Sequence, residues 1–384
     1  TGLIESKTLA AADEFGNVYY HYIYMNPTLP GYGQVVDKQV LAAADSEGAK
    51  AYYYEYYPGT TKISKKVLYS SADYTDPKDA KLTGQIAVYE YALDGTTIDV
   101  KYTYYASGNL ESKTLQTADT FGNKYYHYID STLGLMDKKV MATADAEGAI
   151  AYDYAYYAGT NKYQTINGYA IADYANAKSP ILSRKVRTYE YATDGTTVLT
   201  KLTYYNNADN RMESKTLKNA DASGNVYYHY IDAAGSLMDK KVLAEADSLG
   251  ATGYYYEYYA GTTKYKKVIG YGIADYSNPV NAVFTRQIVV YEYATDGTTI
   301  NTKYTYYNNE NNRIESKTML TADTFGNKYY HYMDIAAGLV DKKALGAADA
   351  MGAIGYYYEY YADGKKKKEV GYKAIDYTNP ANPV

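Results

Sequence analysis

A single stretch sets the period of this chain: Glu213-Ser214-Lys215-Thr216-Leu217-Lys218-Asn219-Ala220-Asp221-Ala222-Ser223-Gly224-Asn225-Val226-Tyr227-Tyr228-His229-Tyr230. Four copies of it begin at Glu5, Glu111, Glu213 and Glu315, which are 106, 102 and 102 residues apart. A fixed internal period of this length indicates an array of similar units rather than two or three unrelated domains. We expect units at 1–110, 111–212, 213–314 and, incompletely, 315–384, within a longer array.

Tyrosine dominates the aromatic composition, with 57 Tyr against 4 Phe and no Trp. Its ring packs like an apolar group while its hydroxyl stays hydrated or binds a partner, which suits a thin repeated wall. The 39 basic and 44 acidic residues leave a net charge of -5, so no strong field favours nucleic acid or an anionic membrane surface as a partner. The chain has no cysteine and no run of 18 apolar residues, so we expect neither disulfides nor a membrane span in this segment.

Residue types alternate with a period of two along the third copy, and this alternation predicts strands with two distinct faces. In 253–259 it places Tyr254, Tyr256 and Tyr258 on one face and the alternate residues, which include Glu257, on a wetter face. The segments between turns predict about seven strands per copy, near 213–220, 226–231, 238–246, 252–259, 263–273, 285–294 and 299–307. We therefore expect an all-β repeat protein whose antiparallel β-hairpins spiral into a solenoid, tube or shell.

Short turns recur at the same phase of each copy. Asp accepts hydrogen bonds from the backbone two residues on and Gly tolerates positive φ, so Asp-x-x-Gly predicts a type I turn that closes into a left-handed residue. The pattern occurs at 221–224, 247–250, 323–326 and 349–352, and 293–299 closes a further hairpin. The residues predicted to have structural roles are Gly224, Gly250, Gly297, Tyr228, Tyr230, Tyr254, Tyr256, Tyr258, Tyr291 and Tyr293.

Tyr-x-Tyr followed within a few residues by Gly recurs along the whole chain. Examples are Tyr89-Glu90-Tyr91-Ala92-Leu93-Asp94-Gly95, 189–195, 291–297, Tyr228-His229-Tyr230-Ile231-Asp232-Ala233-Ala234-Gly235 and Tyr256-Glu257-Tyr258-Tyr259-Ala260-Gly261. This pattern resembles the tyrosine-aspartate (YD) repeat of the Rhs family, which teneurins and the shell components of bacterial toxin complexes share. The resemblance implies long spirals of β-hairpins that form a hollow wall lined by tyrosine. It does not imply a toxin payload.

Two features depart from the YD pattern. The Asp that the family tends to place directly after the second Tyr is displaced here by one to three residues, and the segment has no sign of the end-of-shell sequence with its self-cleaving carboxylates. Choline- and glucan-binding modules also build short hairpins from Gly and aromatic residues, but they depend on Gly-Trp pairs, and this chain has no Trp. The YD repeat is therefore the nearer resemblance.

The histidines are the weak candidates for a metal site. His21, His127, His229 and His331 occupy one position per copy, inside Tyr-Tyr-His-Tyr, where stacked copies would bring them into a ladder. A row of imidazoles binds metal or changes charge near about pH 6.5. Because the sequence shows no fixed Cys or carboxylate companion for them, we expect them to be ordinary strand positions.

The Asp and Asn side chains of the turn loops could supply oxygen ligands to Ca²⁺, but their spacing matches neither the EF-hand nor the nonapeptide β-roll. We expect no cofactor.

Nothing in the chain points to catalysis. The near-identical copies single out no pair of carboxylates for glycoside hydrolysis, and an active site is normally built once on a repeated scaffold. There is no Gly-rich phosphate loop, Gly-x-Ser-x-Gly elbow or metal motif. The only basic run, Lys365–Lys368, is predicted to lie in a solvated hairpin loop.

We expect a structural, non-catalytic repeat protein, extracellular or on the cell surface of a bacterium, that forms a fibre, tube or appendage. Its expected partners are further copies of the same repeat, through self-association into filaments. One alternative is an Rhs-type hollow β-shell that encapsulates a toxin. A second alternative is an adhesin that binds glycans with rows of surface Tyr. A fibre predicts many more copies and no payload, whereas a shell predicts a plug and a divergent C-terminal toxin.

Overall fold

The computed structural model describes residues 3–24, 33–232, 236–308 and 311–384, and these residues form 26 β-strands. They contain no helix, and hence none long and apolar enough to cross a membrane. The chain divides into two compact units, Thr1–Thr197 and Val198–Val384. The predicted all-β fold of antiparallel hairpins is confirmed.

The strands of the first unit pair in chain order, β1 with β2, β2 with β3, and so on to β13. All twelve pairs are antiparallel, so each strand contacts mainly its neighbours in sequence. The strands are β1 (Ser6–Thr8), β2 (Asn17–Tyr24), β3 (Gln34–Leu41), β4 (Ala51–Tyr56), β5 (Ile63–Asp73), β6 (Lys81–Tyr91), β7 (Ile98–Tyr104), β8 (Leu110–Leu115), β9 (Asn123–Asp130), β10 (Leu135–Met141), β11 (Ala151–Tyr156), β12 (Tyr163–Asp173) and β13 (Ile181–Tyr191).

The strands of the second unit pair in the same way, from β14 to β26. They are β14 (Val198–Tyr204), β15 (Met212–Leu217), β16 (Asn225–Tyr230), β17 (Met238–Leu243), β18 (Gly253–Tyr258), β19 (Tyr265–Asp275), β20 (Val283–Tyr293), β21 (Ile300–Tyr306), β22 (Ile314–Met319), β23 (Asn327–Asp334), β24 (Leu339–Leu345), β25 (Gly355–Tyr360) and β26 (Lys366–Tyr372).

Seven strands make up the third copy, as predicted, from β15 to β21. Two of them end three residues before the predicted limit. β15 ends at Leu217 rather than 220, and β17 ends at Leu243 rather than 246. The residues beyond these ends lead into turns at Asp221 and Asp247, whose carboxylates accept backbone N–H groups and so draw the chain out of the ladder.

An odd number of strands per copy reverses the strand direction from one copy to the next. Because neighbours run antiparallel, β2 of the first copy and its counterpart β9 of the second point in opposite directions. One copy is brought onto the next by a shift across the strands and a 180° rotation about that same direction, which lies in the sheet perpendicular to the strands. This rotation reverses the strand direction and also exchanges the two faces of the sheet. Equivalent residues of consecutive copies within a unit therefore lie on opposite faces.

The ladder registers show this exchange directly. Residues opposite one another in an antiparallel pair share a face. Successive partners lead from His21 in β2 to Tyr126 in β9, so the next residue, His127, lies on the other face. The second unit repeats the path from His229 to Tyr330. Within each unit, the histidines of consecutive copies therefore do not line up in a ladder on one face.

The boundary between copies is an ordinary strand pair with the same register each time, and we call it the seam. The seams are β7–β8, β14–β15 and β21–β22, in which Lys faces Thr at Lys101–Thr114, Lys201–Thr216 and Lys303–Thr318. Two residues along, a Thr and a Ser hydroxyl lie 2.7 Å apart, at Thr103–Ser112, Thr203–Ser214 and Thr305–Ser316. All three serines are fully buried.

Removing one hydroxyl of a seam pair is expected to destabilise the protein. Ser214→Ala leaves the buried Thr203 hydroxyl without its partner, which costs about 1–3 kcal/mol. The double variant Thr203→Val/Ser214→Ala removes both hydroxyls and should recover most of that loss. Urea unfolding followed by circular dichroism measures both variants. Equal destabilisation of the single and double variants would contradict the role of the pair.

Candidate functional site

Tyrosine rings form a contiguous row on one face of the third copy. Tyr254 and Tyr256 project from the same face of β18, with their ring centroids 6.3 Å apart. Tyr265 on β19 lies 5.5 Å from Tyr256 and 5.3 Å from Tyr258. Tyr293 on β20 continues the row, 5.9 Å from Tyr265. Rings at these separations gain about 0.5–1.5 kcal/mol per pair beyond the area they bury.

The same arrangement recurs in the second copy, and we call it the tyrosine row. A β-bulge at the end of β18 sets Tyr258 opposite Tyr265 and keeps both on the face of the row. The first and fourth copies carry Ile63 and Lys366 where Tyr265 stands in the third. The complete rows are Tyr254, Tyr256, Tyr258, Tyr265, Tyr293 and Tyr291 in the third copy, and Tyr152, Tyr154, Tyr156, Tyr163, Tyr191 and Tyr189 in the second.

Hydroxyl groups of the row are anchored to other strands and to a turn. Tyr258 donates to the carbonyl oxygen of Met238 at 2.6 Å, and Tyr254 donates to the carboxylate of Asp247. Burial raises the pKa of Tyr254, Tyr256 and Tyr258 well above the usual value. The three phenols are therefore neutral hydrogen-bond donors at physiological pH.

Both faces of β18 are half-buried. Tyr255 and Glu257 are intermediate in exposure, as are Tyr254 and Tyr256 on the opposite face. Burial also raises the pKa of Tyr255. Side chains and loops thus cover parts of both faces, and the face predicted to be the wetter one is itself half-buried.

The most deeply buried ring of the third copy lies on the face opposite its tyrosine row. Tyr227 is fully buried, and its hydroxyl donates to the carbonyl oxygen of Pro279 at 2.7 Å. Its ring stacks on Tyr276 with centroids 5.5 Å apart. Both partners belong to the connection between β19 and β20, which folds back so that Ala282 packs with Tyr227 and Val242. We call this contact the loop lock.

The loop lock is present in all four copies. The buried rings are Tyr19, Tyr125, Tyr227 and Tyr329, which donate to the carbonyl oxygens of Pro77, Ala177, Pro279 and Pro380 and contact the rings of Tyr74, Tyr174, Tyr276 and Tyr377. Sequence analysis selected the neighbouring Tyr228 and Tyr230 and missed Tyr227. The Asp-Tyr loop that follows β5, β12 and β19 was the available signal, since a loop of constant length that begins with the same residues indicates a constant contact.

Tyr228 and Tyr230 lie on the face of the row and stack on each other at 6.0 Å. The Tyr228 hydroxyl donates to the Asp221 carboxylate, which also accepts the N–H groups of Ser223 at 2.9 Å and Asn225 at 3.0 Å. These hydrogen bonds hold the pKa of the Asp221 carboxyl below its usual value, and the bond from Tyr228 has the largest effect. Burial and the same bond raise the pKa of Tyr228 to about 12.

The turn glycines have the left-handed backbone that the Asp-x-x-Gly pattern requires. φ is 78° at Gly224 and 85° at Gly250. Gly297 has φ of 77°, and a Cβ there would lie 2.6 Å from the Cβ of Lys264, so it is constrained by space as well as by conformation. Of the YD-like motif at 228–235, residues 233–235 lie outside the described residues.

Each histidine is paired with an aspartate of the following strand. The Nδ1···Oδ1 distances are 2.5–2.6 Å for His21–Asp37, His127–Asp137, His229–Asp239 and His331–Asp341. The expectation that these histidines lack a carboxylate companion is therefore wrong. The Tyr205 ring meets His229 edge-on at 6.4 Å. Among the described residues, no three His, Asp or Glu side chains come together in a group that could hold a metal ion.

The basic run is more ordered than predicted. Only Lys365 lies in the turn, while the next three lysines belong to β26. Lys366 pairs with Glu369 at 2.6 Å, and Lys368 pairs with Glu359 at 3.5 Å. The predicted loop is therefore wrong for Lys366–Lys368, because the strand resumes after the turn at Asp363-Gly364.

Comparison with known proteins gives only remote similarity. Neither a protein family nor a curated protein matches the chain. Among solved structures, it is similar to a chain of the Photorhabdus luminescens Tc holotoxin pore, with 13% identity over 92% of this chain and 18% of that one, and a TM-score of 0.15. A TcdB2–TccC3 crystal structure matches with 11% identity over 95% of this chain and 21% of that one, and a TM-score of 0.12. A TcdB2–TccC3–Cdc42 crystal structure matches with 12% identity over 92% and 17%, and a TM-score of 0.13. The chain spans about a fifth of these Tc toxin chains, and scores this low carry no argument about function.

Loss of a loop-lock hydroxyl is expected to weaken the protein measurably. Tyr227→Phe keeps the buried ring but removes the bond to the Pro279 carbonyl, at a cost of about 1 kcal/mol. The matched control Tyr265→Phe alters a ring that is 37% exposed and should cost less than about 0.5 kcal/mol. Urea unfolding compares the two variants. A control as destabilised as Tyr227→Phe would show that the lock hydroxyl has no special role.

Alkaline pH is expected to unfold the chain in one cooperative step. The folded pKa of Tyr228 is about 12 against an ordinary 10.0, and burial raises that of the row phenols further. A raised pKa contributes stability that is complete below the unfolded value and is lost as the pH rises toward the folded value. Tyrosinate absorbance and circular dichroism should therefore change together above pH 10. Complete ionisation of the tyrosines with unchanged circular dichroism would contradict the burial of these phenols.

Proposed function

We propose that this chain is a structural, non-catalytic repeat protein whose copies build an extended extracellular fibre, tube or cell-surface appendage. The observation that carries the proposal is the seam. Its three examples have one register, one Thr–Ser hydroxyl contact and one Lys–Thr pair. A boundary that is identical each time and consists of ordinary strand pairing lets copies be added without a new interface.

The internal contacts of the copies support a load-bearing role rather than a chemical one. The loop lock and the His–Asp pair recur in every copy, and each joins chain segments within that copy. Their polar groups are committed to one another, which favours rigidity over proton transfer or substrate binding. Further copies of the same repeat are the partners this arrangement suits.

An Rhs-type hollow shell is the second candidate, because the sequence resemblance to the YD repeat favours it. In that case the rows and locks line a wall around another polypeptide. The two candidates differ in what surrounds the repeat, since a fibre is continuous along its length and a shell encloses a payload.

Immunogold electron microscopy of the producing cells tests the proposal, with antibody raised against the 384-residue chain. Label distributed along extended surface structures is the expected result. Label on compact particles that protect a second polypeptide from added protease would favour the shell. Label confined to the cell interior would contradict both the location and the structural role.

A further inference from the structure

The centre of the tyrosine row is occupied by a tyrosine in the second and third copies only. Tyr265 contacts three other rings of its row, with centroids 5.3–5.9 Å away. Tyr163 makes the same three contacts at 5.3–6.1 Å. We call these two residues the central tyrosines. The first and fourth copies have Ile63 and Lys366 in their place, so the contacts belong to two of the four copies.

The ring nearest to each central tyrosine lies across the hairpin. Tyr258 is set opposite Tyr265 by the bulge at the end of β18, and their centroids are 5.3 Å apart with the ring planes at 32°. Tyr156 and Tyr163 have the same separation at 29°. Opposed residues of an antiparallel pair project side by side from one face, so the hydroxyl-bearing ends of the two rings lie together. Burial and, next, the neighbouring Tyr163 phenol raise the pKa of Tyr156 to about 12.

Two phenol rings held side by side are the reactants of oxidative coupling. Each phenol loses one electron and one proton, and the two phenoxyl radicals join through an ortho carbon of each ring. The hydrogen on each of these carbons then moves to the oxygen of its own ring, which restores two phenols. The pair thus loses two hydrogen atoms in all, and one molecule of hydrogen peroxide takes them up as it is reduced to two molecules of water. Rings that are already in contact make the coupling step unimolecular.

The central tyrosine of the third copy is open to an oxidant from solvent. Tyr265 is 37% exposed, whereas Tyr258 is half-buried and its hydroxyl donates to the Met238 carbonyl oxygen. Oxidation therefore begins at Tyr265, and the contact between the rings lets Tyr258 give up an electron in turn. A second oxidation at Tyr265 leaves one radical on each ring. In the second copy, Tyr163 is half-buried and has the same facing ring.

Other tyrosines lack either the exposure or the facing ring. Tyr361 is 56% exposed, but no second ring lies against it among the described residues. The lock ring Tyr227 stacks on Tyr276 at 5.5 Å, but it is fully buried and its hydroxyl is bound to a carbonyl oxygen. Neighbours on one strand, such as Tyr228 and Tyr230, are farther apart at 6.0 Å. Exposure and a close ring across the hairpin occur together at the centre of the row.

We propose that Tyr163 and Tyr265 are sites of oxidative modification by a haem peroxidase and hydrogen peroxide. The product is dityrosine, formed with Tyr156 in the second copy and with Tyr258 in the third. Each bond ties the two strands of one hairpin together, β11 to β12 and β18 to β19. The first and fourth copies have no tyrosine at this position and are not joined there. The proposal rests on the geometry of the row and is independent of the fibre role.

Peptide mapping of the oxidised protein tests the proposal. The full 384-residue chain is treated in dilute solution with a haem peroxidase and hydrogen peroxide, and chains that run as a single copy on a denaturing gel are digested with trypsin. Lys162 and Lys264 lie between the members of the two pairs, so trypsin releases the tyrosines of each pair on separate peptides. We expect two cross-linked peptide pairs, each lighter by two hydrogen atoms than the sum of its parts, with fragmentation placing the bonds at the proposed tyrosines.

Substitutions at the centre of the row locate the site. Tyr163→Ile/Tyr265→Ile introduces the residue of the first copy, so the variant should still unfold cooperatively in urea, and it should lose both products. The matched control Tyr361→Phe removes a more exposed phenol without a facing ring and should give both products as the parent does.

Three results would overturn the proposal: cross-links found only between chains, cross-links within the lock, or no dityrosine in the oxidised parent. Products that persist in the double variant would overturn it as well. A bond from a central tyrosine to Tyr154 or Tyr256 would overturn the choice of partner, and a product in one copy alone would overturn the assignment in the other.

Discussion

Within each unit neighbouring strands run antiparallel, and a copy has an odd number of them, seven; this parity decides on which face of a unit the repeated side chains lie. Seven strands reverse the direction and exchange the faces, so the row of one copy and the lock of the next share a face. An even number would have put all rows on one face and all locks on the other. The alternation makes each face of the sheet a mixture of flat aromatic surface and folded loop, and both faces are half-buried as a result.

The strong preference for tyrosine follows from this thin construction. A sheet whose faces are covered only by its own loops has few positions where a ring is enclosed on all sides, and in the loop lock the ring must also satisfy a backbone carbonyl. Tyr227 and its counterparts do both, which Phe does not. Three of the four Phe, which are Phe15, Phe121 and Phe325, lie at turn tips with 73%, 83% and 82% of their surface exposed. The fourth, Phe284, packs against the cluster of the lock and on the ring of Tyr271.

The strands and turns were predictable because they depend on local patterns. Alternation locates β18 and β20, and Asp-x-x-Gly locates the turns at Gly224 and Gly250, to within a few residues. Contacts between distant segments were not predictable in this way. The Asp239 partner of His229 lies on another strand, and its identity depends on a register shift between the two strands. The lock needs the loop from β19 to reach β16, three strands away, and alternation does not show which tyrosine it covers.

Differences among the copies separate what the array requires from what it tolerates. The seam keeps its Lys–Thr and Thr–Ser pairs at every boundary, and the lock keeps its tyrosine in all four copies. The centre of the row changes freely, from Ile63 to Tyr163, Tyr265 and Lys366. A position that accepts an aliphatic, an aromatic and a charged side chain is not holding neighbouring copies together. The seam is therefore the constant contact between copies, and the centre of the row is a position at which the copies differ.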